Sequence, residues 1–130
     1  MTLAEALRVR RFGCVLSAGF FGFYGHAGFV EGLAAAGLQP AAWAGTSAGG
    51  MVAALAAGGL APAKINEMIL TQRRKHFWDP DPLGIAIDAL RGGHRSGGLL
   101  KGEKFRDLLT RHLPFPRFAD SPTPVVMVAT

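Results

Sequence analysis

Gly45-Thr46-Ser47-Ala48-Gly49 sets a serine in G-x-S-x-G spacing. That spacing serves nucleophilic attack on an acyl carbon when the serine stands on a sharp turn from a strand into a helix. In so tight a turn, side chains two positions to either side of the serine would collide with the strand and the helix, so glycine is needed at 45 and 49. The same turn sets the Ser47 hydroxyl at a helix N-terminus, where the dipole and the free N–H groups favour a developing negative charge. A plainer role also exists, because Thr46 or Ser47 can simply cap an Ala-rich helix. The strand expected on one side and the helix on the other favour the nucleophile.

Acyl transfer also needs donors for the oxyanion. The loop Ser17-Ala18-Gly19-Phe20-Phe21-Gly22 follows the first expected strand and is placed to offer the backbone N–H groups of Ala18, Gly19 and Phe20 beside Ser47. Its alternative is an ordinary strand-to-helix turn. A dinucleotide site is disfavoured, since G-x-G-x-x-G is absent and the glycines fall at 19, 22, 25 and 28. Gly97-Gly98-Leu99-Leu100-Lys101-Gly102 lacks both the spacing of a phosphate loop and the Ser or Thr after its Lys. The mechanistic rival is a Ser-His-Asp triad drawing on His26, His76, His94 or His112. His26 falls on the helix after the first strand, where a packing role is expected, whereas an α/β-hydrolase triad would place its His late in the chain after the acid. The serine on the second expected strand is also early for that fold. Asp79, Asp81, Asp88, Asp107 and Asp120 lack any motif that would make one of them the base and are read as solvated.

These groups need a scaffold. Residues 2–7 suit a short helix, and residues 13–17 a buried strand. Residues 22–36 carry a helical pattern with Phe29, Val30 and Leu33 as apolar positions and Gly37 as a stop. Gly25, Gly28 and Gly32 weaken that helix and imply close approach of a neighbouring helix or the sheet. Residues 40–44 read as a second strand and 48–57 as the helix behind Ser47. Further helices are expected over 62–73, 83–90 and 102–113, with a connector at 91–98. Residues 124–129 form a last, wholly apolar strand of the kind covered on both faces of a parallel sheet. The alternation predicts a three-layer α/β/α arrangement with a mostly parallel sheet. An apolar strand at the end, with only three strands to serve the helices, leads us to expect residues 1–130 to be the N-terminal part of a single domain, cut after its third strand.

Composition excludes several classes. With 49% hydrophobic and 18% charged residues the chain is too apolar for disorder and adequate for a core. One cysteine, Cys14, allows neither an internal disulfide nor a cysteine metal cluster, so no metal is expected. The net charge of +5 would suit nucleic acid if spread over a surface. The basic residues instead lie in short groups at residues 8–11 and 73–75 and then scatter, with no Lys or Arg from Phe12 to Ala63, so solvated faces are expected, a lipid headgroup surface is the next reading, and no nucleic acid is expected. Arg10-Arg11 precedes too short an apolar run for a signal peptide, and residues 41–63 are broken by the glycine-rich turn at Ser47, so a cytoplasmic chain is expected, with contact to a membrane surface left open.

Taken together the motifs resemble the patatin-like phospholipase family over nearly the whole chain. The resemblance rests on the glycine-containing loop with a downstream His26-Ala27-Gly28, on Gly45-Thr46-Ser47-Ala48-Gly49, on Gly98-Leu99-Leu100 before a helix, and on the closing strand. It implies a lipid acyl hydrolase using a Ser-Asp dyad, in which Ser47 attacks a fatty-acyl ester without a catalytic His and without a cofactor. The family's Asp belongs to an Asp-Gly-Gly or Asp-Gly-Ala motif, and these residues contain no Asp-Gly pair, so the base is expected beyond them. The family's loop reads Gly-Gly-Gly-x-Arg/Lys-Gly, whereas this chain keeps only Gly19 of the leading glycines and has Gly22 at the basic position. A catalytically inactive lipid-binding protein of the same fold is the alternative those departures raise. Phe20, Phe21, Phe23 and Tyr24 are read either as core or as contacts to acyl chains.

Overall fold

The computed structural model describes residues 1–19, 21–71, 79–82, 90 and 101–128. Three short strands, β1 (Gly13–Leu16), β2 (Ala42–Thr46) and β3 (Val125–Val128), pair in parallel in the order β1-β2-β3. Parallel neighbours need crossover connections. The chain supplies α2 (Gly22–Ala35) between β1 and β2, then α3 (Ala48–Ala57) and α4 (Pro62–Thr71) after β2. At the N-terminus α1 (Leu3–Val9) is closed by a reciprocal pair in which the Glu5 N–H donates to the Thr2 hydroxyl and the Thr2 N–H to the Glu5 carboxylate. The α/β class and the parallel sheet are as the sequence predicts. The second strand runs two residues later than predicted, which carries Gly45 and Thr46 into the sheet.

Strand alternation decides which side chains meet the helices. Cys14, Leu16 and Trp43 are buried, while Val15, one residue out of phase, is exposed. Helix α3 packs against all three strands, and α2 packs against α3 and α4. The core lies in this layer: Leu55, Ile65 and Val52 are fully buried, with Ala53 and Ala57 beside them in sequence register on α3. A helix apolar all round is what burial on every side requires. The opposite face is different. Val15, Ala44 and Val126 share one row across the sheet. Val15, Val126 and Val128 are exposed among the described residues, so the expected cover on both faces of the last strand is not found there.

Helix α2 corrects a second expectation. Its buried positions are Ala27, Val30 and Leu33, and Phe29 is half exposed rather than core. Among the described residues, a methyl group built on Gly25, Gly28 or Gly32 meets nothing within 4 Å, so no close backbone approach at these glycines is seen there. Glycine inside a helix costs chain entropy with no packing in return here. Replacing all three by alanine is therefore expected to stabilise the fold by about 0.5–1 kcal/mol per site, read as a raised urea midpoint. An unchanged or lowered midpoint would contradict the open face.

The chain divides into two compact units, Met1–Thr71 with Leu113–Thr130, and Gln72–His112. In the second, α5 (Glu103–His112) buries Leu108, with Phe105 about one-third exposed. The helices expected over 83–90, the connector 91–98 and the extension of α4 past residue 71 lie outside the described residues, as do His76, His94 and Asp88. Asp79, read from sequence as solvated, is instead buried. Its carboxylate accepts the N–H groups of Gly102 at 3.2 Å and Lys104 at 3.1 Å, capping α5 from a distant segment. Burial pushes its carboxyl up, but the N–H groups of Lys104, Gly102, Glu103 and Asp79 itself outweigh that and hold it below the ordinary aspartate value. A carboxyl lowered by folding contributes stability that is present above the unfolded value and is lost as pH falls through the lowered one. The Asp79 carboxyl resonance is thus expected to titrate below the ordinary aspartate range, with the cap on α5 released in the same step; titration at or above that range would contradict the cap.

Candidate active site

Strand β2 ends at Thr46 and α3 begins at Ala48, so Ser47 alone makes the turn between them. It has φ 52° and ψ −123°, and among the described residues it is the one non-glycine with positive φ. No side chain prefers that region, and an outlier of this kind is tolerated where surrounding structure enforces it. Ser47 is exposed while Ala48, Gly49 and Gly50 behind it are buried. Its hydroxyl makes no capping hydrogen bond, which removes the simple helix-cap role for this serine. Its carbonyl accepts the Met51 N–H at 3.1 Å, leaving the first N–H groups of α3 without partners in the helix ladder, and no acidic residue occupies that first turn. The dipole at this end is therefore unneutralised by side chains.

The flanking glycines are enforced by contact. A Cβ on Gly45 would stand 2.6 Å from the carbonyl of Gly49 and the nitrogen of Gly50. One on Gly49 would run into the carbonyl of Leu16 and stand 2.5 Å from the Ser17 oxygen. These are backbone atoms, so the turn closes only with glycine at both positions. Gly50, which the motif does not include, sits against Met127 and the Gly45 carbonyl, and its adjacency to Gly49 is the sequence signal for it.

Contact of Gly49 with the end of β1 brings the loop after β1 to the same place. Within it Gly19 has φ 148°, open to glycine and strained for other residues, and the Gly22 N–H donates to the Gly19 carbonyl at 2.8 Å. A Cβ on Gly22 would lie 3.9 Å from the Cβ of Ala48, so the far end of the loop meets the residue following Ser47. The imidazole of His26 donates from Nε2 to the Ser17 carbonyl at 2.9 Å. Ser47, Gly45, Thr46, Ala48 and Gly49 thus form one turn, and Ala18 and Gly19 belong to the loop beside it. Phe20 lies outside the described residues. Phe21 and Tyr24 are exposed and outside the core. Of the aspartates, Asp120 is held by Arg117 through two hydrogen bonds, and Asp79 is committed to α5. Among the described residues no helix is long and apolar enough to cross a membrane.

A family model described as patatin-like phospholipase matches residues 14–129, a span that takes in all of β1 but Gly13, the loop, the serine turn and β3. No curated protein and no solved structure matches the chain.

Proposed function

The chain belongs to the patatin-like phospholipase family, and from that premise we propose that Ser47 is the nucleophile of a serine hydrolase acting on lipid carboxylic esters. The observation that supports this most is the forced φ of Ser47, exposed at the head of a buried helix with its hydroxyl uncommitted to a cap. In the reaction Ser47 Oγ bonds to the acyl carbon while its proton passes to the dyad aspartate. The oxyanion takes N–H donors from Ala48 and from the loop at Ala18, Gly19 and Phe20. Collapse expels the alcohol, which takes up the proton, and water then hydrolyses the acyl-Ser47 ester by the same steps. This chemistry requires no cofactor. The substrate is a lipid or other acyl ester, met at a membrane surface where the ester is part of a bilayer.

A second reading, lipid binding without turnover, is favoured by Ala18 and Phe20 standing where the family carries glycine and by the lack of an Asp-Gly pair in residues 1–130. Free fatty acid released from phosphatidylcholine vesicles and from a soluble nitrophenyl ester separates the two. Hydrolysis by the wild type that is lost in Ser47→Ala supports the nucleophile. Sedimentation of both proteins with vesicles, with no acid released by either, supports binding alone.

A further inference from the structure

We propose that His26 is a positioning residue for the oxyanion loop, holding the peptide plane to which the Ala18 N–H belongs. The proposal rests on the reading of Ser47 as nucleophile and extends it to a residue outside the G-x-S-x-G turn.

His26 stands four residues after Gly22 on α2, so the two share one helix face. The absence of a side chain at Gly22 leaves room for the ring, since a Cβ there would be 3.1 Å from His26 Nε2 and 3.3 Å from Cδ2. From that place Nε2–H donates to the Ser17 carbonyl at 2.9 Å. A carbonyl only accepts, so this nitrogen carries its proton and is not available as a base toward Ser47. The same oxygen lies close to Gly49, two residues beyond Ser47, where a Cβ would stand 2.5 Å away. The carbonyl is therefore in contact with both α2 and α3.

A trans peptide is planar, with its C=O and N–H pointing in opposite directions. Fixing the Ser17 carbonyl toward His26 therefore fixes the direction of the Ala18 N–H. The loop needs such a tie, because Gly19 at φ 148° is a point where peptide rotation meets no Cβ. Donors that turn away during the reaction lose their value, since a preorganised hole acts only if it does not have to reorganise as charge develops. His26 supplies the tie from a rigid helix.

The test uses the full-length protein and the rate at which a fluorophosphonate probe modifies Ser47, followed by ester kinetics. His26→Ala is expected to slow labelling about 10- to 100-fold per folded molecule, and to lower kcat with KM nearly unchanged, because the oxyanion exists only past the ground state. His26→Gln, whose amide can donate to the same carbonyl, is expected to recover most of the rate. Gly22→Ala, which crowds the ring, is expected to slow labelling in the same direction. Labelling by His26→Ala at the wild-type rate would overturn the proposal. So would a loss that Gln does not rescue and that tracks loss of cooperative melting, which assigns His26 to stability alone. Failure of the wild type itself to label at Ser47 is a separate result: it removes the nucleophile reading and this inference with it.

Discussion

Ser47→Ala is expected to lower ester hydrolysis by about 10³-fold or more while leaving the fold intact. On the proposed reading, removing the oxygen removes the atom that bonds to the acyl carbon. Alanine keeps the Cβ, so the strain of φ 52° and ψ −123° remains. That pair is close to the first central position of a type II′ turn, which glycine ordinarily fills. Holding a side chain there costs about 1–3 kcal/mol. Ser47→Gly is therefore expected to be equally inactive yet at least as stable as Ser47→Ala, despite the added freedom of glycine in the unfolded chain. Urea midpoints of the two variants measure this directly. A Gly variant clearly less stable than the Ala variant would mean that the turn is relaxed and that the serine is not held against its preference.

Gly49→Ala carries the second large effect, a destabilisation of about 3 kcal/mol or more. The added methyl would meet the Leu16 carbonyl and the Ser17 oxygen, and neither can swing aside as a side-chain end would. Leu16 is fixed on its other side by pairing opposite Gly45, so β1 can yield only by leaving β2. Gly50→Ala is the control: its nearest obstacle is the terminal methyl of Met127 at 3.0 Å, on a flexible side chain, with the Gly45 carbonyl oxygen next at 3.3 Å. A much smaller loss is expected there. Equal urea midpoints for Gly49→Ala and wild type would show that α3 does not approach β1 as closely as described.

The serine turn was legible because its constraints are local. Strand, turn and helix lie within sixteen consecutive residues, 42–57, and the two glycines sit where the tight turn demands them. The element order and the parallel sheet followed from the same alternation of apolar runs. What the sequence does not carry is which surface faces which neighbour. Gly25, Gly28 and Gly32 have the spacing of a packing face, yet a Cβ at any of them would meet none of the described residues within 4 Å. Phe29 has the character of a core residue and lies half exposed. Val126 and Val128 read as buried on both sides, but no described residue covers them. Long-range polar contacts were equally hidden. Asp79 reaches α5 from 25 residues before Lys104, and no local pattern marks an aspartate that caps a helix it does not adjoin. His26 was read as a structural residue, but its partner, a loop carbonyl, is visible only once α2 and the loop after β1 are in place.

The departures in the loop after β1 leave the serine turn itself unchanged and, on the proposed reading, would bear on rate. Backbone N–H donors do not depend on the side chains of Ala18 and Phe20, although their aim depends on backbone angles that glycine reaches more freely. Under the proposal made above, the hydrogen bond from His26 to Ser17 would keep the donors of such a loop aimed with fewer glycines. Phe21, at the end of this loop, and Tyr24, in the first turn of α2, are exposed and outside the core.

The most direct measurement is covalent: treat the full-length protein with a fluorophosphonate and locate the adduct by mass spectrometry, with Ser47→Ala alongside. A single adduct is expected on the peptide carrying Ser47, absent from the variant and formed faster than on any surface serine. An ester-hydrolysing wild type with its adduct on another residue, or equal labelling of the variant, would contradict it.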